Sequence, residues 1–240
     1  MRVAVLHTND LHGKLDFSRA SSLAALRNEA DLYFDSGDCV KSGNLGVPLA
    51  PEPVWGLLAS CQCDASVIGN RETHVLAKAF QAKIAGARHP VLCANLRGKD
   101  GSRPLAATLR LEARGLKVGV LGVSVAMVTE RMAAAAASAY LWDDPVRTAV
   151  EEARALRPEC DLVVALTHIG HRADLELAEA SEEIDVVLGG HSHTVLERPV
   201  QVGGTWVCQG GSHGRFVGRY EWDAASRTLS GGLVPWPGVE

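Results

Sequence analysis

Short apolar runs, several of them closing on or just before an acid, an amide or a histidine, set the strongest limit on how this chain can fold. Val3–His7, Leu32–Asp35, Ala65–Ile68, Val91–Ala94, Leu162–Thr167, Val186–Leu188 and Thr205–Cys208 read as strands. Helix-like segments lie between them at Ser18–Glu29, Val75–Ala85, Thr129–Ala139, Val146–Arg157 and Asp174–Ser181. The fourth is signposted by Asp144 as cap, Pro145 in its first turn and Pro158 as its stop. Leu105–Leu111 and Lys117–Val123 flank Ala113-Arg114-Gly115 as an antiparallel hairpin. Strands that alternate with helices specify an α/β domain. No repeat or Pro/Gly/Ser-rich linker divides the sequence, and Val47–Pro53 reads as a surface loop, so residues 1–240 are expected to form one domain.

The polar residues fall at regular places on this map. Asp10 and His12 follow the first strand, Asp38 the second and Asn70 the third. His168 ends a later strand, and His191 and His193 follow the next. Open α/β sheets place ligands beyond the carboxyl ends of their strands, so seven N and O donors would converge on one edge of one sheet. Taken singly, an Asp-x-His or a Ser-Gly-Asp is an ordinary turn; their conjunction carries the argument. No cysteine joins the set, which speaks for hard-to-borderline divalent ions and against a thiolate zinc site. The count suits two ions sharing a carboxylate, with about four ligands each. Two dications against two aspartates leave a charge of about +2, a seat for hydroxide and phosphate.

Composition narrows the alternatives. A hydrophobic share of 47% with 22% charged residues is that of a globular protein, not of a disordered or fibrous chain. A net charge of -4 argues against a nucleic-acid-binding surface. No window approaches the roughly 20 apolar residues of a membrane span. The N-terminus lacks a leader's apolar stretch, so the expected address is the cytoplasm. Six irregularly spaced cysteines then read as free thiols.

Five ordered motifs carry a resemblance: Leu6–Gly13 (LHTNDLHG), Ser36–Asp38, Gly69–Glu72 (GNRE), Ala165–Gly170 (ALTHIG) and Gly189–Thr194 (GGHSHT). They resemble the calcineurin-like metallophosphoesterases, and more narrowly the N-terminal catalytic domain of the 5′-nucleotidase branch. Pro90–Leu96 and Gln209–Arg215 are similar to that branch in order and placing. The resemblance implies an αββα sandwich, two mixed sheets face to face with helices outside. It implies one ion on Asp10, His12, Asp38 and His193, and a second on the same Asp38, Asn70, His168 and His191. The ions would be Mn, Fe, Zn, Ni or Co, which N/O donors do not distinguish. A bridging hydroxide would attack phosphorus in line, on a small phosphorylated substrate such as a nucleotide monoester.

Two departures qualify it. The branch motif is Gly-Asn-His-Glu, whose histidine is expected to serve the leaving oxygen; here that position is Arg71, and the aspartate expected three residues later is His74. A guanidinium stays protonated near neutral pH, so Arg71 can stabilise charge while His74 supplies a titratable group. The second departure is length. The branch adds a C-terminal domain that stacks the nucleobase, and 240 residues are expected to hold the catalytic domain alone. Nucleotide specificity is therefore not expected to be inherited, and the Val47–Pro53 loop and Val123–Arg131 are the available walls.

Of the other histidines, His7 is expected to support ligands, His171 to open a helix, His89 to be structural, and His213 to lie in a Gly-rich loop near the site. Two further readings stay open. One is a phosphodiesterase on cyclic nucleotides or related diesters; the other is a catalytically weakened metal-binding module acting through a protein partner. The oligomeric state is left open by the sequence.

Overall fold

A computed structural model describes residues 1–237 and orders most of the strands into two six-stranded mixed sheets. The first half of the chain supplies β1 (Arg2–Thr8), β2 (Leu32–Asp35), β3 (Ala65–Val67), β4 (Val91–Leu92), β5 (Leu96–Gly98), β6 (Thr108–Ala113) and β7 (Leu116–Ser124). The second half supplies β8 (Tyr140–Trp142), β9 (Leu162–His168), β10 (Val186–Gly189), β11 (Val200–Val202), β12 (Thr205–Gln209), β13 (Phe216–Asp223) and β14 (Thr228–Pro235). Helices are α1 (Phe17–Arg27), α2 (Pro53–Ser60), α3 (Ala77–Ile84), α4 (Pro145–Leu156) and α5 (His171–Ala180). One sheet runs β14-β13-β1-β2-β3-β4, the other β11-β12-β10-β9-β7-β6, and β5 pairs with β8 apart from both.

The sheets face each other across a core of Val5, Phe34 and Val67 from one and Val120, Val164, Leu166 and Leu188 from the other. On the outer face of the first sheet, Leu6 and Tyr33 pack with Leu23 of α1 and Trp55 and Leu58 of α2. On the outer face of the second, Val163 and Val187 pack with Ala149 and Ala153 of α4 and Leu177 of α5. Both faces of each central strand are covered, which is why β9 is apolar and buried without alternation. The layers are helix, sheet, sheet, helix, the αββα arrangement expected from the motifs. Among the described residues no helix is long and apolar enough to cross a membrane.

Several local expectations shift. Thr129–Ala139 forms no α-helix; only a 3-10 turn at Ala133–Ala136 survives. Its alanines are mostly exposed and offer no apolar stripe to bury, and packing, not propensity, holds most helices. The helix expected from Val75 begins at Ala77, which leaves His74 in the preceding loop. α4 is capped as read, Asp144 accepting the Arg147 N–H at 2.9 Å. The β13–β14 hairpin and α2 follow the expected strands and loop but were not among the elements read from the sequence.

Candidate metal centre

β1, β2 and β3 are parallel, as are β9, β10 and β12, and the candidate donors lie at or just beyond the carboxyl ends of five of these six strands. Past the strands the chains stay paired: Asp10 N–H donates to Gly37 at 2.9 Å and His12 N–H to Asp38 at 2.8 Å. Asp10, His12, Asp38, His191, His193 and His213 all have positive φ, six of the nine such non-glycine residues among those described. A left-handed residue costs about 1–2 kcal/mol, and such strain gathers where geometry serves a site. Close approach completes it. A Cβ on Gly190 would lie 2.8 Å from the Ser36 carbonyl and 2.9 Å from His168 Nδ1.

The seven sequence-predicted donors come together, but from two sheets and not from the single sheet that the strand-end pattern suggested, because β1–β3 and β9–β10 belong to different sheets whose carboxyl ends meet. Asp10 Oδ1 lies 3.2 Å from His193 Nε2, 3.6 Å from His12 Nε2 and 4.0 Å from His168 Nε2. His12 and His193 face each other, Nε2 to Nε2, at 3.0 Å. Asp38 directs Oδ1 toward His168 Nε2 at 3.6 Å and Oδ2 toward His12 Nδ1 at 4.0 Å. Asn70 Oδ1 lies 2.9 Å from His191 Nδ1 and 3.3 Å from His168 Nε2.

A surrounding scaffold aims these groups. His168 donates Nδ1–H to the Ser36 carbonyl at 2.7 Å, turning Nε2 to the carboxylates. Glu72 accepts the backbone N–H groups of Asp38 and Gly69, both at 2.8 Å, and of Val40 at 3.0 Å. Gln209 grips the 190–194 loop, donating to the Gly190 carbonyl at 3.0 Å and accepting from Ser192 Oγ at 2.8 Å. Asn9 donates to Asp10 Oδ2 and to the Gly211 carbonyl, both at 2.8 Å. Buried Lys83 anchors the carbonyls of Gly43 and Arg71. The sequence reading gave no role to Glu72, Gln209, Asn9 or Lys83. Glu72, Asn9 and Gln209 sit inside or at the edge of motifs and were findable; Lys83 lies mid-helix with no local signal.

Electrostatics fit a cation. Burial disfavours charge on His168, yet the carboxylates of Asp38 and Asp10 outweigh it and raise its pKa to about 9. Burial likewise opposes ionisation of Asp38, and His168 beside it wins, holding the carboxyl below its usual range. Burial, then the Arg71 charge, lowers His12 to about 4 and keeps it neutral, a lone pair available to a metal. Asp10 Oδ1 is buried and has no hydrogen-bond partner among the described residues. One proton cannot serve that oxygen and three imidazoles together; divalent cations can. Two sets of ligand atoms, Asp10/His12/His193 and Asp10/Asp38/His168, each lie within 4.8 Å of one another. The residues therefore fit the divalent ions expected of them.

Arg71 stands at the rim, its Nε 3.8 Å from Asp38 Oδ2 and its N–H donating to Asp38 Oδ1 at 2.7 Å. His74 accepts the Leu76 N–H on Nδ1 at 3.0 Å, which fixes its neutral tautomer with the proton on Nε2. Among the described residues it bonds to none of the seven donors. His213 joins the cluster, its ring 4.8 Å from that of His12 and its N–H donating to the Asp10 carbonyl at 2.7 Å. His7 is buried behind Ser36, Nε2 to Oγ at 3.0 Å, in the supporting place expected. His171 opens α5, and His89 meets Ser66 Oγ at 2.9 Å, away from the donors.

The family model of the calcineurin-like phosphoesterases matches residues 3–195. The trifunctional nucleotide phosphoesterase protein YfkN of Bacillus subtilis is 27% identical over 91% of this chain and 18% of its own. A 5′-nucleotidase of Vibrio vulnificus is 27% identical over 98% of this chain and 51% of its own. In fold, a 5′-nucleotidase precursor of Thermus thermophilus superposes with a TM-score of 0.81 at 22% identity, over 98% of this chain and 54% of that one. The chain thus spans about half the length, or less, of these similar proteins.

Proposed function

The chain belongs to the calcineurin-like phosphoesterase family, and we propose that it hydrolyses a phosphate ester with two divalent ions held at the strand-end site. The observation that carries this reading is Asp10 Oδ1, buried, without a hydrogen-bond partner among the described residues and faced by Nε2 of His12, His168 and His193. Asp10, His12, Asp38 and His193 would hold one ion; Asp38, Asn70, His168 and His191 would hold the other. Asp38 suits the shared place because its two oxygens lean toward His168 and His12. When bound, the ions would supply an activated water and neutralise phosphoryl charge.

The protein's own groups do the rest. Arg71 stays charged at neutral pH and stands where the phosphoryl oxygens would gather. His74 carries its proton on Nε2 and would donate a hydrogen bond to the leaving oxygen. Glu72 and Gln209 keep the donor loops in place. The printed names of the similar proteins support a small phosphorylated substrate, with a nucleotide monoester the first to test. The six cysteines, buried and unpaired, support a reducing compartment, and we place the protein in the cytoplasm.

The test is a chelated protein reloaded with Mn, Fe, Co, Ni or Zn. Substrates are p-nitrophenyl phosphate, its bis ester, nucleoside monophosphates and cyclic nucleotides. Metal-dependent turnover of monoesters is expected. Turnover of diesters alone would redirect the reading to a phosphodiesterase. No turnover of any ester would overturn it and leave a metal-binding module acting through a partner.

A further inference from the structure

Asn70 serves two places at once. Its Oδ1 joins the donor cluster 2.9 Å from His191 Nδ1, while its Nδ2 donates to Asn44 Oδ1 at 3.0 Å. Asn44 belongs to the wall of a small pocket that the proposed ion pair does not use. Thr73, another wall residue, donates Oγ1–H to the Asn70 carbonyl at 2.8 Å. The pocket therefore lies one side chain away from the donors.

Its chemistry is apolar with few polar points. Leu45, Val75, Met127, Val128 and Trp142 supply carbon, and His74 lies among them. The volume is about 140 Å³. An apolar cavity of about 150 Å³ holds one benzene ring. Trp142 lines the pocket, and its indole N–H is buried with no partner among the described residues. Its segments are tied in place: Trp142 N–H donates to the Val128 carbonyl at 2.8 Å and Ala139 N–H to the Val75 carbonyl at 2.7 Å. Such a concave, preformed and mostly apolar space beside a reactive cluster is what a ligand site requires.

We infer that this pocket seats the leaving group of the ester and selects one compact apolar ring, or a chain of similar bulk, next to the phosphoryl group. The inference rests on the phosphoester-hydrolase reading, because the phosphate must sit at the donors for its substituent to reach the pocket. Bulk beyond one ring exceeds the volume the walls offer and would project from the pocket, and a leaving group smaller than a ring forgoes the contact.

Methyl, benzyl and naphthylmethyl phosphates test it, since their alcohols are of similar basicity and differ in size. Benzyl phosphate is expected to exceed methyl phosphate in kcat/KM by about ten-fold, with the naphthylmethyl ester below benzyl. Met127→Trp fills the pocket and should bring the benzyl-to-methyl ratio close to one. The ratio is read within each variant, so a misfolded fraction cancels. A ratio near one in the wild type, or one that Met127→Trp leaves unchanged, overturns the proposal. Binding is read separately through the ¹⁵N-labelled indole resonance of Trp142, assigned with Trp142→Phe. Benzyl alcohol should shift it in the wild type and not in Met127→Trp. Turnover of none of the three esters overturns the leaving-group role alone; the hydrolase reading falls only if the wider screen of nitrophenyl esters and nucleotides is also silent. An unshifted Trp142 resonance overturns the pocket itself, whichever esters are turned over.

Discussion

Gln209 Oε1 accepts the backbone N–H of Thr194 at 2.7 Å, tying the end of β12 to the residue that follows His193. The same amide donates to the Gly190 carbonyl, so the loop carrying His191 and His193 is clamped at both ends by one buried side chain. Gln209→Leu keeps the bulk and removes the clamp. It should weaken divalent-metal binding by about 10–100-fold, as read by calorimetric titration of the chelated protein. Lower stability with metal affinity intact would limit Gln209 to packing.

His12 and His193, with Asp10 between them, make a second prediction. Loading the chelated protein with Zn or Mn at about 100 times the dissociation constant should stabilise it by about 2.7 kcal/mol. For a chain of this size that raises Tm by roughly 5–10 °C. His193→Ala should lose most of the rise. An unmoved Tm with every divalent metal tried would count against the site.

In the proposed reaction Arg71 and His74 would divide the work of the missing motif histidine. Arg71→Ala should lower kcat by about 100-fold. The pH–rate profile should keep its shape, because a guanidinium does not titrate in the working range. His74→Ala should cost about ten-fold or more if its Nε2–H meets the leaving oxygen. Unchanged turnover and an unchanged profile in His74→Ala would remove it from the reaction.

His7 makes the fold acid-sensitive. Burial lowers its pKa from 6.5 to about 3, so the neutral imidazole is required in the folded protein. Its contribution to stability is complete above pH 6.5 and is lost as pH falls toward 3. Between neutral pH and pH 4 the wild type should lose about 3 kcal/mol more than His7→Gln, which stays neutral throughout. Urea melts at the two pH values read the difference. Equal losses would show that His7 stays accessible to protons in the fold.

The seven donors were legible because each sits at, or a turn beyond, a short apolar strand, and strand ends are written locally. The alternation alone specified only an α/β domain; the layer order came from the family resemblance that the motifs carry. What local sequence did not carry was long-range. β1 lies between β2 and β13, and nothing near Val3 names Phe216–Asp223 as its neighbour. The alanine run at Ala133–Ala137 has the propensity of a helix but no partner to bury against, so propensity misled there. Lys83 reads as an ordinary helix lysine, yet it is fully buried on two carbonyls. The walls of the pocket overlap in part with the segments expected to face a substrate. Val128 and Met127 fall within the segment expected to form them, while Asn44 and Leu45 come from just before the expected loop.

The donor set is split between the sheets: Asp10, His12, Asp38 and Asn70 extend from one, His168, His191 and His193 from the other. Ions held between them would rivet the open edge of the sandwich, bracing two layers that elsewhere meet mainly through apolar side chains. A slip of one sheet against the other by a fraction of a side chain would pull those rivets before the core exposed any surface. Heat or mild denaturant should therefore silence the protein while its circular dichroism is still that of the intact fold, and added metal should delay the silence more than the melt.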